Sequence, residues 1–291
     1  MAEHGHHGHG HHGHGQMTPE QQKARIAQEM RLVQHMGDVK YKIAVMSGKG
    51  GVGKSTVAAN LAEAFQKKGF VTGILDADIH GPNIPKMLGV EGKEVIINNG
   101  ELTPVLTNNG LKVMSMAFLI EANDTPIIWR GPQKSGAIKQ FMADTAWGNL
   151  DVLIIDNPPG TGDEPLTVLQ TLPDVDAVVM VTTPNSLSQE DVLKCVGMVN
   201  MLNIDNIGLV ENMAYYVCPH CGEKEAIFGE SNGEQFANEM GILYLGDLPL
   251  TQEVPASANE DSTIVNSYAQ SEVTKKFLEI VDNISDQFLE E

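Results

Sequence analysis

The feature that most constrains this chain is a glycine-rich loop between an apolar run and a helical segment. Residues 44–56 read AVMSGKGGVGKST and satisfy the pattern G-x-x-x-x-G-K-[ST]. Glycines let backbone N–H groups wrap phosphates, and the N-terminus of the following helix adds its positive end. Lys54 has the reach for the outer phosphates, and the Ser55 hydroxyl suits Mg²⁺. The loop therefore predicts a nucleotide site whose binding residues are Gly48, Lys49, Gly50, Gly51, Val52, Gly53, Lys54, Ser55 and Thr56.

Two further apolar runs end in carboxylates. Val71–Leu75 leads into Asp76 and Asp78, and Val152–Ile155 leads into Asp156. A strand-end aspartate alone often only caps the next helix, but the carboxyl ends of parallel strands line one crevice. Beside a phosphate loop, such carboxylates hold Mg²⁺ through water. We therefore expect a Mg²⁺ site there, associated with Ser55, Asp76 and Asp156.

The order of apolar and amphipathic segments predicts an α/β fold. Helical stretches such as Ser55–Lys68, with Val57, Leu61 and Phe65 on one face, separate near-continuous apolar runs. Strands of that kind form a mostly parallel sheet with helices on both faces, here in a single domain. The predicted strands are Tyr41–Met46, Val71–Leu75, Val152–Ile155, Ala177–Val181 and Ile207–Val210.

The first 38 residues lie outside the predicted ATPase domain, which we place at 39–291. Residues 1–16 hold seven of the ten histidines among glycines, a composition that builds no core; this tail either binds metal or is an engineered addition. Residues 17–38 predict a leading helix that begins near Thr18 and carries Ile26, Met30 and Val33 at helical spacing.

Two other segments have distinct patterns. Gly89–Leu119 contains two Asn-Asn-Gly turns and is predicted to be a hairpin-like insertion. Ser271–Glu291 predicts a final helix whose apolar stripe docks on protein, because its opposite face is acidic. The members of that stripe are Val273, Phe277, Val281, Ile284 and Phe288.

The charge of the chain restricts its partners. Nineteen Lys and Arg residues against 38 Asp and Glu residues give a net charge of -19, which disfavours nucleic acid and anionic membranes. Any polyphosphate must be held by a local site. Three cysteines and no secretory leader pattern predict a reducing, cytoplasmic location.

A cysteine pair carries the second motif. Cys218-Pro219-His220-Cys221 is a C-x-x-C sequence, which in a cytosolic protein serves as a redox dithiol, half of a zinc site or two cluster ligands. One pair fills only half of a four-coordinate site, so other ligands must come from elsewhere. Cys195 lies on an apolar helical stripe and is interpreted as core packing.

The second lysine of the phosphate loop, Lys49, points to a known superfamily. The sequence GKGGVGKS resembles the deviant Walker A motif of the MinD/ParA/NifH-type P-loop NTPases, whose extra lysine reaches the partner subunit's nucleotide. The resemblance implies a SIMIBI-type fold and a homodimer with ATP between the protomers. It makes Lys49, Lys54 and Asp78 the catalytic residues, with Asp78 orienting the attacking water. No role carries over to the neighbouring His80.

Four segments resemble one particular family within this superfamily. Asp76–Asn83, Trp129–Pro132, Asp156–Asp163 and Glu211–Gly222 are similar to the Mrp/NBP35 (ApbC-type) iron–sulfur cluster carrier ATPases. In that family Cys218 and Cys221 of two protomers would hold a labile [4Fe–4S] cluster. Asn212 and the Pro249-Leu250 turn match positions near the adenine.

The expected function is an ATP-hydrolysing homodimer that receives a cluster from an assembly scaffold and transfers it to apo-proteins. One alternative is a MinD/ParA-like spatial-organiser ATPase, but residues 222–291 contain 15 acidic against 3 basic residues and offer no basic helix. Another is an ATPase with structural zinc on its cysteines and a metal-buffering His tail.

Overall fold

The computed structural model describes residues 18–121 and 131–289. The first described range, residues 18–121, forms ten elements: α1 (Pro19–Gly37), β1 (Val39–Ser47), α2 (Lys54–Lys67), β2 (Thr72–Asp76), α3 (Ile84–Met87), β3 (Ile96–Asn98), β4 (Glu101–Thr103), β5 (Val105–Leu106), β6 (Lys112–Ser115) and α4 (Met116–Glu121). The second group comprises α5 (Gly131–Asp144), β7 (Leu150–Asp156), α6 (Asp163–Thr171), β8 (Ala177–Thr182), α7 (Ser186–Met201), β9 (Ile207–Val217), β10 (Lys224–Glu225), α8 (Gly233–Met240), β11 (Leu243–Leu250), α9 (Glu253–Asn259), α10 (Ile264–Ser267) and α11 (Glu272–Phe288).

The main sheet has the order β10-β9-β8-β1-β7-β2-β6-β5, and β11 adds to β9. Its pairings are parallel except for the short outer strands β10 and β5. The predicted α/β architecture with a mostly parallel sheet in a single domain is confirmed. Parallel order brings the carboxyl ends of β1, β2 and β7 to one edge, where the phosphate loop begins.

Alternating residues of β1 enter different cores. Ile43 and Val45 pack with α2, α10 and α11 on one face of the sheet, whereas Ala44 and Met46 pack with α6, α7 and α8 on the other. Side chains of a strand point alternately to opposite faces, so a strand covered on both sides must be apolar throughout. This is why the strand-like runs of the sequence are continuous and do not alternate.

The helix α1 packs on α5 through a face other than its apolar stripe. Met36 is buried, the His35 Nδ1 atom lies 2.9 Å from the carbonyl oxygen of Ala143, and Arg31 pairs with Asp144 at 3.0 Å. By contrast, the stripe of Ile26, Met30 and Val33 is 56–68% exposed. Helical spacing identifies the helix, but polar contacts and Met36 decide which side faces the protein.

The segment 89–119 is only partly an insertion. The strands β3 and β4 form a separate hairpin, and β5 and β6 form a second one, in agreement with the two predicted turns. However, β6 pairs in parallel with β2 and belongs to the main sheet, which corrects the expectation of a hairpin-like insertion. The β6 sequence KVMS has only four residues, so its residue pattern cannot show whether the strand pairs only within a hairpin or also joins the main sheet.

Several predicted features fall on residues outside the described ranges. The tail 1–16, Trp129 and Arg130 of the Trp129–Pro132 motif, and the last two residues of the final helix are among them. The described part of that helix is α11, where Val273, Phe277, Val281 and Ile284 are buried and Phe288 is partly buried. In the described ranges, no helix has the length and hydropathy that a membrane span requires.

Candidate nucleotide and metal site

The phosphate loop joins the end of β1 to the start of α2. Gly53 precedes the helix with φ of 83°, a left-handed conformation that glycine adopts without strain. A Cβ atom there would collide with the amide of Asn212, whose Nδ2 donates a 2.9 Å hydrogen bond to the carbonyl of Val52. Gly48 and Lys49 are half-buried, and Gly50 and Gly51 are exposed, so the loop opens toward solvent. The glycines of the loop and this contact from β9 therefore both contribute to its shape.

Lys54 and Asp156 form a buried ion pair. The Lys54 Nζ atom lies 2.5 Å from Asp156 Oδ1, and both side chains are almost fully enclosed. Burial raises the pKa of the Asp156 carboxyl, while the charge and hydrogen bond of Lys54 act against that rise. The second oxygen, Asp156 Oδ2, is buried and has no hydrogen-bond partner among the described residues. An oxygen of this kind is available to a cation or to its bound water.

Asp76 lies directly beside Asp156 at the neighbouring strand end. The two residues pair in register between β2 and β7, and both have 0% exposure. Asp76 accepts hydrogen bonds from the Ser115 hydroxyl at 3.0 Å and from the backbone N–H of Asp78 at 3.2 Å. Burial first, and then repulsion from Asp156, raise the pKa of Asp76 well above its usual value.

These donors fit a magnesium ion. Mg²⁺ prefers oxygen ligands and retains several waters, so one or two carboxylates and a hydroxyl are a suitable set. The Ser55 hydroxyl lies within hydrogen-bond reach of Asp156, and Asp156 Oδ2 has no partner in the described part of the chain. A cation near this pair would also lower the pKa values of both carboxyls.

The loop after β2 determines the orientation of Asp78. Its Oδ1 atom accepts hydrogen bonds from the backbone N–H groups of His80 at 2.9 Å and Gly81 at 3.3 Å. Asp78 itself is half-exposed at the edge where Asp76 and Asp156 meet. Its carboxylate is therefore placed by the loop backbone and not by the core.

Lys49 faces a different environment from Lys54. Its backbone carbonyl accepts a 2.9 Å hydrogen bond from the Ser47 hydroxyl, which anchors the loop. Within the part of the chain that the structure describes, its ammonium group has no ion-pair partner. This cation is available to an anion from outside the protomer.

A small cavity adjoins the loop on the side of β9. It has a volume of about 60 Å³ and lies between Gly53 and Thr56 of the loop, Asn212 and Met213 of β9, and Pro249-Leu250. The structure thus brings together the three sequence regions expected near the nucleotide. Pro249 and Leu250 end the strand β11 and are not a turn, which corrects that detail; the β11 run itself, LYLGDLPL, was not predicted.

The cysteine pair lies in a tight turn at the end of β9. The turn is closed by hydrogen bonds from the N–H of Cys218 to the carbonyl of Glu223 (2.9 Å) and from the N–H of Gly222 to the carbonyl of Cys218 (2.8 Å). The strand β10 then pairs back on β9, with Lys224 opposite Val217. Cys218 is half-buried and Cys221 is exposed, so both thiols are accessible at the surface.

The thiols differ in their electrostatic environment. Hydrogen bonds from the backbone N–H groups of Cys221 and His220, and then from the Cys221 thiol, lower the pKa of Cys218. Cys195 is buried as expected, and burial raises the pKa of its thiol to about 11. Throughout the described ranges, no group of three or more His, Cys, Asp or Glu residues is placed to hold a metal. Cys218 and Cys221 are therefore an incomplete ligand set.

Comparisons with known proteins establish the family of this chain. The ParA family model described as NUBPL iron-transfer P-loop NTPase matches residues 38–285. The chain belongs to this family. An iron–sulfur cluster carrier protein of Methanocaldococcus jannaschii is 46% identical to this P-loop NTPase over 266 residues, which cover 91% of each chain.

Two solved structures place the fold. A nucleotide-binding protein from Archaeoglobus fulgidus, solved in complex with ADP, is 40% identical, with a TM-score of 0.70 over 80% of this chain and 91% of that one. The cell division ATPase MinD of Pyrococcus furiosus is 20% identical, with a TM-score of 0.65 over 85% and 99% of the two chains. The latter likeness establishes only the fold of this P-loop NTPase.

The sequence-predicted site residues form two groups in the structure. Lys54, Ser55, Asp76 and Asp156 meet at one strand edge, with Asp78 at its margin, while Cys218 and Cys221 lie together at the tip of β9. Their roles remain predictions. Sequence reasoning missed Lys134 and Glu164, which contact His80 across 54 and 84 residues of chain, because no local spacing connects such distant positions.

Proposed function

We propose that this protein is an ATP-binding and ATP-hydrolysing carrier that holds an iron–sulfur cluster and transfers it to apo-proteins. The observation that carries the proposal is the pairing, in one domain, of a phosphate site with a surface pair of thiols that has no further metal ligand among the described residues. A nucleotide site alone would fit many P-loop proteins. The half-filled ligand set of the thiol pair is what a second protomer would complete.

The cluster is the cargo of this carrier. Cys218 and Cys221 from two protomers supply four thiolates, the ligand number of a [4Fe–4S] cluster. The lowered pKa of Cys218 favours its thiolate form, which is the form that binds metal. Because both thiols are at the surface, the cluster can be loaded from an assembly scaffold and removed by an apo-protein.

The hydrolytic step uses residues of both protomers. Backbone N–H groups of Gly48–Thr56 hold the phosphates, Lys54 neutralises their charge, and Lys49 reaches the nucleotide of the partner subunit. Mg²⁺, held by Ser55 and by Asp156 and Asp76 through water, supplies further charge stabilisation when bound. Asp78 orients the attacking water. Most of the catalysis is therefore positioning and charge neutralisation.

Nucleotide occupancy is coupled to the cluster through β9. Asn212 in this strand is hydrogen-bonded to Val52 of the phosphate loop, and five residues beyond Met213 the same strand reaches Cys218. A shift of the loop on ATP binding is thus transmitted along one strand to the cluster ligands, and ATP changes the dimer geometry and the exposure of the cluster.

The proposed organisation is a cytoplasmic protein with a catalytic domain at 39–291, a leading helix at 17–38 and a His-Gly tail at 1–16. The acidic surface makes nucleic acid and anionic membranes poor partners. The proposed partners are a second copy of the chain, a cluster-assembly scaffold and apo iron–sulfur proteins.

Anaerobic reconstitution tests the cluster assignment. After incubation with iron and sulfide, the wild-type protein is expected to show thiolate-to-iron charge-transfer absorbance with bound iron and sulfide in equal amounts. The double variant Cys218→Ala/Cys221→Ala should show neither, while Cys195→Ala, which removes a buried thiol, should match the wild type. Identical spectra for the wild type and the double variant, or zinc in place of iron, would contradict the proposal.

A further inference from the structure

One lysine outside the phosphate loop links two segments of the chain beside the candidate nucleotide site. Lys134 lies near the start of α5, and its side chain is only 16% exposed. Its Nζ atom is 2.8 Å from Glu164 Oε1 and 2.6 Å from His80 Nε2. The same carboxylate oxygen lies 3.3 Å from His80 Nε2, so the three side chains form one compact cluster.

The two partners of Lys134 belong to different segments of the chain. His80 lies in the loop after β2, two residues beyond Asp78. Glu164 lies in the first turn of α6, immediately after the loop that follows Asp156. A single ammonium group therefore connects the loop after β2 to the first turn of α6, next to the candidate Mg²⁺ site.

The chemistry of the contact defines the state of His80. An ammonium group can only donate hydrogen bonds, so a 2.6 Å contact requires the lone pair of His80 Nε2 and places the imidazole proton on Nδ1. Burial alone would raise the pKa of Glu164, but the hydrogen bond and the charge of Lys134 lower it. Glu164 thus stays ionised and retains the lysine.

His80 in turn places Asp78. The backbone N–H of His80 donates a 2.9 Å hydrogen bond to Asp78 Oδ1, and that of Gly81 donates to the same oxygen. Because Asp78 is half-exposed and is oriented by this backbone, any freedom of His80 becomes freedom of the carboxylate. Fixing the imidazole from α5 restricts the peptide that orients Asp78.

We propose that Lys134, retained by Glu164, is a positioning residue for ATP hydrolysis, because through His80 it fixes the loop that orients Asp78. This inference rests on the proposed function, in which Asp78 orients the attacking water. Lys134 touches neither water nor phosphate in this role. Its loss should therefore reduce turnover and leave nucleotide affinity unchanged.

Steady-state phosphate release by the full chain with Mg²⁺ and ATP tests the role. We expect kcat of Lys134→Met to fall about tenfold, since misplacement of a reacting group lowers turnover, with KM unchanged within about twofold. Lys134→Arg, which keeps the cation, should recover most of the loss. The near-isosteric Glu164→Gln tests the cluster from its other end and should lower kcat in the same way. Lys139→Met, on the exposed side of the same helix, is the matched control and should behave as wild type.

A double-mutant cycle identifies the path. If Lys134 acts through His80, the Lys134→Met substitution should have no further effect on kcat in a His80→Ala background. If the wild type hydrolyses ATP but Lys134→Met and Glu164→Gln have an unchanged kcat, or only a raised KM, the positioning role is overturned. The proposed function is then left intact. Absence of phosphate release by the wild type above a Lys54→Met background would overturn both.

Discussion

Two buried carboxyl groups, Asp76 and Asp156, lie side by side at the ends of β2 and β7. Removing both from water and placing them next to each other disfavours their ionised forms, and one ammonium group, that of Lys54, offsets this only in part. The arrangement is costly for folding but suitable for a divalent cation. In the proposed Mg²⁺ site, the stability lost at these two residues would be the cost of cation affinity.

The raised pKa of Asp76 predicts a pH dependence of stability. A carboxyl whose pKa is higher in the folded protein than in the unfolded chain binds its proton more tightly when folded, so its contribution to stability is present below the unfolded value of 3.8 and is lost as the pH rises through the folded value. As the pH rises above 3.8, the free energy of unfolding should therefore decrease more steeply in the wild type than in Asp76→Asn. The difference in slope should approach about 1.4 kcal/mol per pH unit while only the folded state is protonated.

Urea unfolding at a series of pH values, in the presence of a chelator and without nucleotide, measures these slopes. Asp205→Asn serves as the control, because Asp205 is exposed, and its slope should match that of the wild type. Equal slopes for Asp76→Asn and the wild type would show that Asp76 does not carry the effect.

Close packing between elements fixes the phosphate loop from outside. A Cβ atom at Gly48 would collide with the backbone of Asp191 and Val192 in α7, coming within 2.7 Å of the Val192 nitrogen. This contact lets the helix α7 lie directly against the loop, while Asn212 of β9 holds its other side. The loop is therefore held between α7 and β9, and β9 continues to the cysteine turn.

Substitution of Gly48 by alanine should destabilise the fold, because the obstacle is rigid helix backbone and not a flexible side chain. We expect Gly48→Ala to lower the free energy of unfolding by about 1–3 kcal/mol, in the range of overpacking substitutions. Gly50→Ala is the matched control in the same loop, since a Cβ there has nothing within 4 Å. Chemical denaturation compares the two, and equal stabilities would mean that α7 shifts without cost.

The elements differ in how well the sequence predicts them. Long apolar runs such as β1, β7 and β8 are unambiguous, because strands buried on both faces have few polar residues. The short strand β6 and the strand β11, which is interrupted by Gly246 and Pro249, lack that continuity and become strands through pairing with β2 and β9. The exposed stripe of α1 illustrates the same limit, because tertiary contacts and not periodicity select the packed face.

The residues of the candidate site also differ in how well the sequence predicts them. The phosphate loop and the strand-end aspartates are predictable because each residue lies a fixed number of positions along the sequence from a glycine or from a strand end. The link from Glu164 through Lys134 to His80 joins three separate elements, and only the folded chain shows it. Local chemistry is therefore readable from spacing, whereas the contacts that tune it depend on topology.

At the scale of the whole molecule, two candidate binding features are incomplete within the described residues of a single chain. Lys49 is a cation that has no ion-pair partner among the described residues, and Cys218 and Cys221 are two thiols without further metal ligands in the same ranges. A two-fold axis that brings two chains together would complete both, by placing Lys49 at the partner's nucleotide and four thiolates around one cluster. The net charge of -19 opposes nonspecific association, so the proposed dimer would depend on such specific contacts.

The most direct test of this account is the stoichiometry of the cluster. Native mass spectrometry of the anaerobically reconstituted full chain should give a species of two chains with one [4Fe–4S] cluster, and the Cys218→Ala/Cys221→Ala variant should give none, while Cys195→Ala behaves as wild type. A metal or cluster held by a single chain, or a cluster retained by the double variant, would contradict the account.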